Sequence, residues 1–259
     1  MKPSIISAER KGRLPLWAVA FWLLVWEAAA RWVDEPILLV SPITAMARLF
    51  QLLGELAFWR AVGFSLGRIL LGFGLSLALG VLLAVLAYRF AAVRKLLAPL
   101  TAAIKAIPVA SFVILALLWV SSKDLSVLIS LLIGFPVVYG NTLTGLDGTD
   151  PKLIQMAKVF RVPFLRQMNG VYLYSVLPYL RSGAAIAMGL CWKSGVAAEI
   201  IGLPTGSVGE RLYTAKVFLE TPDMFCWTLV VVLLSVGCEK LLRLLLDVLA
   251  REAAVCWKR

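Results

Sequence analysis

The chain has 259 residues, of which 61% are hydrophobic and only 16% charged, and its mean hydropathy is +0.90. Soluble domains carry about 25% charged residues, so this composition excludes a water-soluble globule and calls for burial in lipid. The net charge of +11 does not indicate nucleic acid, because the basic residues stand between apolar runs, where they encode membrane topology.

In chain order, hydropathy predicts a single all-α integral membrane domain over 1–259 with six transmembrane helices, at about 14–33, 62–87, 100–119, 125–146, 180–201 and 225–246. Each is near the roughly 20 residues that cross a bilayer. The first run lacks a small-residue cleavage site and is long enough to stay in the membrane. Lys2, Arg10, Lys11 and Arg13 precede it, and Arg89, Arg94 and Lys95 follow the second span. Lys152, Lys158, Arg161 and Arg166 follow the fourth, and Arg251, Lys258 and Arg259 close the chain. The opposite loops are poorer in bases, with Arg48, Arg60, Lys123, Arg211 and Lys216. The positive-inside rule then expects the segment 1–13, the loop 147–179 and the tail 247–259 on the cytoplasmic side.

The second and fifth spans contain GRILLGFGLSLALG (67–80) and SGAAIAMG (182–189). Such small side chains let helices approach closely where lipid gives no hydrophobic drive to associate. Pro108 and Pro136 each remove a backbone donor within a predicted span, which makes an ordinary kink or, less commonly, a mark of a translocation path.

The loop 150–170, DPKLIQMAKVFRVPFLRQMNG, is polar but helix-patterned. Asp150 followed by Pro151 is a helix start. Leu153, Met156, Ala157 and Phe160 then recur on one face, and after Pro163 a second short piece carries Phe164, Met168 and Val171. A helix lying on the membrane surface and a helix docking into a soluble subunit both fit this pattern.

Charges inside spans are costly and are candidates for function. Glu27 and Arg68 lie six residues, Glu199 two and Lys193 eight from the outer ends of their predicted spans. Similar depth leads us to expect interhelical pairing, Arg68 with Glu199 or Glu27. Lys193, between Trp192 and Ser194, either attracts an anion moving through the membrane or balances Glu199, although the spacing of six puts those two on different helix faces. Lys193, Trp192, Ser194 and Pro108 are therefore the candidates for a substrate path.

Several chemistries find no residues. With no histidine, and cysteines 191, 226, 238 and 256 far apart in sequence, neither a zinc nor a haem site is expected. No GxxxxGK[ST] motif is present, so ATP is not expected to bind this chain by a P-loop. No catalytic residue and no cofactor of its own is expected.

From Ile154 to Gly202 the chain resembles the inner-membrane permease subunits of ATP-binding-cassette importers, in the branch serving nitrate, taurine and alkanesulfonates. The likeness rests on FPVVYGNTLTGL, LPYLRSGAAIAMGLCW and GVAAEIIG, and it extends to SLGRILLGFGLSLALG, AAIKAIPVA and LLVSPITAMARL, roughly residues 37 to 250. The resemblance implies a type I importer fold with a cytoplasmic coupling helix that docks on the ATPase through Gln155, Met156, Ala157, Phe160 and Arg161. Within that loop only Ala157 and Leu173 match the hallmark strictly. Arg161 stands where the family has glycine, so either the turn departs from the left-handed geometry or Arg161 makes a charge contact with the partner. The resemblance further implies a homodimer in a bacterial inner membrane, two ATPase subunits carrying ATP and Mg, and an extracytoplasmic solute-binding protein meeting the loop 202–223. An anion such as a sulfonate, taurine or nitrate is the expected cargo, with a thiamine precursor or other heterocycle as the alternative. A self-sufficient carrier or channel, and a membrane anchor without transport, are the rival classes.

Overall fold

Where lipid supplies no hydrogen-bond partners, a chain must satisfy its backbone internally, and helices do so segment by segment. The computed structural model describes residues 16–35 and 37–257, and among them helix is the regular structure throughout, with no strand. Lys2, Arg10, Lys11, Arg13, Lys258 and Arg259 lie outside the described residues.

The order is α1 (Leu16–Val33), α2 (Pro42–Leu53), α3 (Leu56–Arg89), α4 (Ala91–Ala106), α5 (Val109–Ala116) and α6 (Ser122–Asp147). There follow α7 (Pro151–Val159), α8 (Phe164–Gln167), a short π-helix (Met168–Tyr172), α9 (Leu173–Gly202), α10 (Val208–Val217) and α11 (Thr221–Trp257). By length and composition three helices can cross a membrane, Leu56–Arg89, Ser122–Asp147 and Gly170–Gly202, and four if α4 and α5 form one broken span. That is a smaller number than the six expected from hydropathy.

The third expected span differs in shape as well as extent. α4 and α5 meet at 103° across Ile107 and Pro108. Pro108 is not a mid-helix kink but the N-cap of α5, with φ −59° and ψ 130°. Proline excludes its predecessor from helical geometry, and Ile107 is extended at ψ 129°. Pro136, by contrast, is carried inside an unbroken α6.

The centre of the molecule is the three-helix contact of α3, α6 and α9. Small residues make it, though only some of those singled out in the sequence. A Cβ on Gly72 would stand 2.5 Å from the Val127 carbonyl oxygen, and one on Gly134 would stand 2.5 Å from Ser76 Oγ. Gly67, Gly74 and Gly189 have nothing within 4 Å. Between α6 and α9 the contact is also hydrogen-bonded in both directions. Ser130 Oγ donates to the Cys191 carbonyl at 3.2 Å and Cys191 Sγ donates to the Ser130 carbonyl at 3.2 Å. Trp192, Ile69 and Val138 fill the surrounding core and are fully buried.

The bundle has two chemically distinct ends. At one, Arg94 on α4 holds Asp147 on α6 at 2.8 Å, close to where α7 begins. At the other, α2 packs on α11 and the start of α3 through Leu49, Leu52, Phe58 and Trp227. There Arg48 on α2 grips Asp223 on α11 with two hydrogen bonds, the Nη2–Oδ2 arm being 3.0 Å, and the carboxylate raises the Arg48 guanidinium further above its ordinary range.

Candidate functional site

The loop after α6 forms two short helices. Asp150 Oδ1 accepts the Lys152 N–H at 2.8 Å, so the acid–proline pair caps α7. At its other end the Phe160 N–H returns to the Met156 carbonyl at 3.0 Å and the Val162 N–H to the Ala157 carbonyl at 2.9 Å. This six-to-one closure requires a left-handed residue at the turn, and Arg161 supplies it with φ +52°. The turn therefore keeps the left-handed geometry, against the first of the two alternatives raised by an arginine at the glycine position. Glycine would adopt that conformation freely, whereas a residue with a Cβ pays about 1–2 kcal/mol.

The face of α7 is also not quite the one read from spacing. Ala157 is 3% exposed and points inward, while Leu153, Met156, Val159 and Phe160 are exposed, Phe160 by 74%. Gln155 and Arg161 are exposed beside them. The result is an uncovered apolar surface next to basic side chains at the Arg94–Asp147 end.

The charges expected within spans do not pair as the sequence suggests. Arg68 bonds Asp124 at the start of α6, and Glu27 bonds Arg31 one turn along α1 at 2.8 Å. Asp124 escaped the sequence reading because it sits one residue outside the expected span. Glu199, fully buried, meets no cation among the described residues. Its Oε2 accepts from Ser65 Oγ at 2.6 Å and from the Gly209 N–H at 3.2 Å, while Oε1 and the buried Ser126 Oγ have no partner. The acceptor thus ties α3, α9 and the first turn of α10 together. α10 itself lies within the stretch 202–223 read as a loop.

The candidate path residues separate. Trp192 is fully buried in the core, and Ser194 Oγ is spent on the Leu190 carbonyl at 2.9 Å. Pro108 stands exposed at the α4–α5 corner, beside a small apolar hollow lined by Ile104, Phe112 and Ile133. Lys193 alone opens into a large groove, about 1130 Å³, between α9 and α11. With it are Arg181 and Ser182 from α9, and Ser235, Glu239, Lys240, Arg243 and Asp247 from α11. Arg181 pairs with Asp247 across the helices, and Arg243 with Glu239 along α11. These charges fall inside the expected fifth and sixth spans or just beyond, where the surrounding apolar runs mask them in a hydropathy profile. Their spacing of three and four along α11 is the signal that places them on one face.

Comparison with known proteins agrees on the class. The family described as binding-protein-dependent transport system inner membrane component matches residues 76–254. The protein named for aliphatic sulfonates transport, permease protein SsuC of Bacillus subtilis, is 26% identical over 234 residues, covering 90% of this chain and 83% of its own. The taurine transport system permease protein TauC of Escherichia coli is 25% identical over 244 residues, covering 92% and 88%. The formylaminopyrimidine transport permease protein ThiX of Halalkalibacterium halodurans is 28% identical over 185 residues, covering 71% and 74%.

Proposed function

The chain belongs to the family of inner membrane components of binding-protein-dependent transport systems, and from that membership we propose that it is the permease subunit of an ATP-driven importer of small anions. It works as a homodimer with the path at the subunit interface. In this reading α1 and α11 complete six spans with α3, the broken α4–α5 pair, α6 and α9, and both termini are cytoplasmic. α7 is the coupling helix, seated in a groove of each of two ATPase subunits. A solute-binding protein delivers cargo to the opposite end, where α2 and α10 lie. ATP-driven closure of the ATPases draws the two α7 helices together and rocks the bundles outward-open.

The observation that carries this reading is the uncovered face of Leu153, Met156, Val159 and Phe160. An apolar helix face ringed by bases, at the end rich in bases, suits a partner's groove. Anionic cargo is supported by relatives named for sulfonates and taurine and by the basic groove at Lys193. The relative named for formylaminopyrimidine supports a heterocycle as the second reading.

The test is to extract the tagged chain gently and identify its companions by mass spectrometry. An ATPase subunit recovered with it, together with a solute-binding protein, is the expected result. Recovery of the chain alone, active in liposomes without ATP, would make it a self-sufficient carrier and overturn the proposal.

A further inference from the structure

We infer that the groove between α9 and α11 is a station at which the transported solute is held by its acid group, with the ammonium groups of Lys193 and Lys240 as its cationic contacts. The inference rests on the importer reading and names residues for it.

The groove has four bases, Arg181, Lys193, Lys240 and Arg243, against two acids, Glu239 and Asp247. Both acids are taken, by Arg243 and Arg181 respectively. Among the described residues Lys193 and Lys240 form no ion pair. An ammonium at membrane depth does not face lipid; it faces a water-filled cavity or an anion. A structural role would have matched each base with an acid, as happens for Arg181 and Arg243 in the same groove.

Taking the Arg181–Asp247 pair as a common level, Lys193 is 12 residues further along α9 and Lys240 is 7 residues back along α11. At 1.5 Å per residue these are rises of about 18 Å and about 10 Å. The two ammonium groups thus stand one above the other, and a solute can pass from the first to the second before it reaches the closed ion pair. Ala185 and Gly189 keep that wall of α9 low, and Ser182 and Ser235 add hydroxyl donors. The space of about 1130 Å³ slightly exceeds the roughly 300–1,000 Å³ of ordinary small-molecule sites, as an open groove does. The fitting ligand class is a small organic monoanion, a sulfonate or carboxylate, whose oxygens accept from each ammonium group in turn.

An anionic lipid headgroup shares that chemistry, so the test separates the two. Binding of radiolabelled butanesulfonate is measured on the full chain in nanodiscs of phosphatidylcholine, and again with phosphatidylglycerol added. The expected result is saturable binding in both, weakened about tenfold by Lys193→Gln or by Lys240→Gln and recovered by Lys193→Arg. Lys95→Gln, on exposed α4, leaves it unchanged. Equal binding by the Lys193→Gln/Lys240→Gln chain, or no binding by the unaltered chain, overturns the inference. So does complete displacement by phosphatidylglycerol, which would make the groove a lipid site. Retention of an ATPase subunit by the Lys193→Gln chain tests the importer reading separately, since that contact lies at α7.

Discussion

The hydroxyl of Ser65 on α3 donates a 2.6 Å hydrogen bond to Oε2 of Glu199 on α9 while accepting one of 2.9 Å from the Val208 N–H that opens α10. A single serine therefore sits between a buried acid and the first turn of another helix. Glu199→Ala strips the acceptor from both Ser65 and the Gly209 N–H. Each buried orphan costs about 1–3 kcal/mol, so the variant should lose about 2 kcal/mol or more. Glu199→Gln keeps one acceptor oxygen and should lose less. Thermal unfolding of the detergent-solubilised chain checks both, and a Glu199→Ala chain as stable as its parent would contradict the described network.

Gly209 has a stricter requirement. Its Cβ would lie 2.3 Å from Cβ of Glu199, so Gly209→Ala must push α10 off α9. Gly72→Ala meets the Val127 carbonyl in the same way, at 2.5 Å. Overpacking of this kind costs about 1–3 kcal/mol. Gly74→Ala enters open space on the same helix and should be neutral or gain up to about 1 kcal/mol from helix propensity. The same unfolding assay reads the contrast, and equal effects at Gly72 and Gly74 would refute the packing described.

Arg161→Gly removes the strain of a left-handed arginine and should stabilise the turn by about 1 kcal/mol. Arg161→Val, branched at Cβ, should weaken it. Uptake by the intact transporter separates geometry from contact. Unchanged uptake in Arg161→Gly means that the turn alone matters, whereas lost uptake with improved stability means that the guanidinium touches the ATPase.

Phe160→Asp and Met156→Asp place a charge on the exposed face of α7 and should abolish uptake while leaving the melting temperature of the isolated chain within a degree or two. Ala157→Asp is a poorer probe, because Ala157 is buried and an unpaired buried carboxylate destabilises the fold itself. Normal uptake by Phe160→Asp would remove the coupling assignment.

Legibility in the sequence followed the length of the signal. The cores of α3, α6 and α9 are long apolar runs, so hydropathy locates them. α10 is hidden in the sequence because its neighbourhood holds glycines and charges, yet Ser207 and Glu210 spell a capping box. Ser207 Oγ accepts the Glu210 N–H at 2.9 Å, and a Glu210 oxygen accepts from the Gly206 N–H. Pairing was the least legible. Arg68 chose Asp124 over Glu199 because the start of α6 lies against α3 about three turns into that helix, a fact of three-dimensional packing that depth along a span does not carry. Ala157 turned inward for a related reason: helical spacing defines a stripe, but which edge of the stripe is covered depends on what lies beneath it.

The right-angled corner between α4 and α5 bears on how the protein is made. The amides of Val109, Ala110 and Ser111 open α5 without intrahelical acceptors, and hydrocarbon cannot satisfy them. Cover for α5 comes from Leu125 and Ile129 of α6 and Ala198 of α9, all synthesised later. In the proposed topology this third apolar stretch meets its packing partners only after α9 has been synthesised, so we expect it to stay at the insertion machinery until then. Nascent chains ending after residue 121 should crosslink to the insertase through this stretch, and chains ending after residue 220 should have released it.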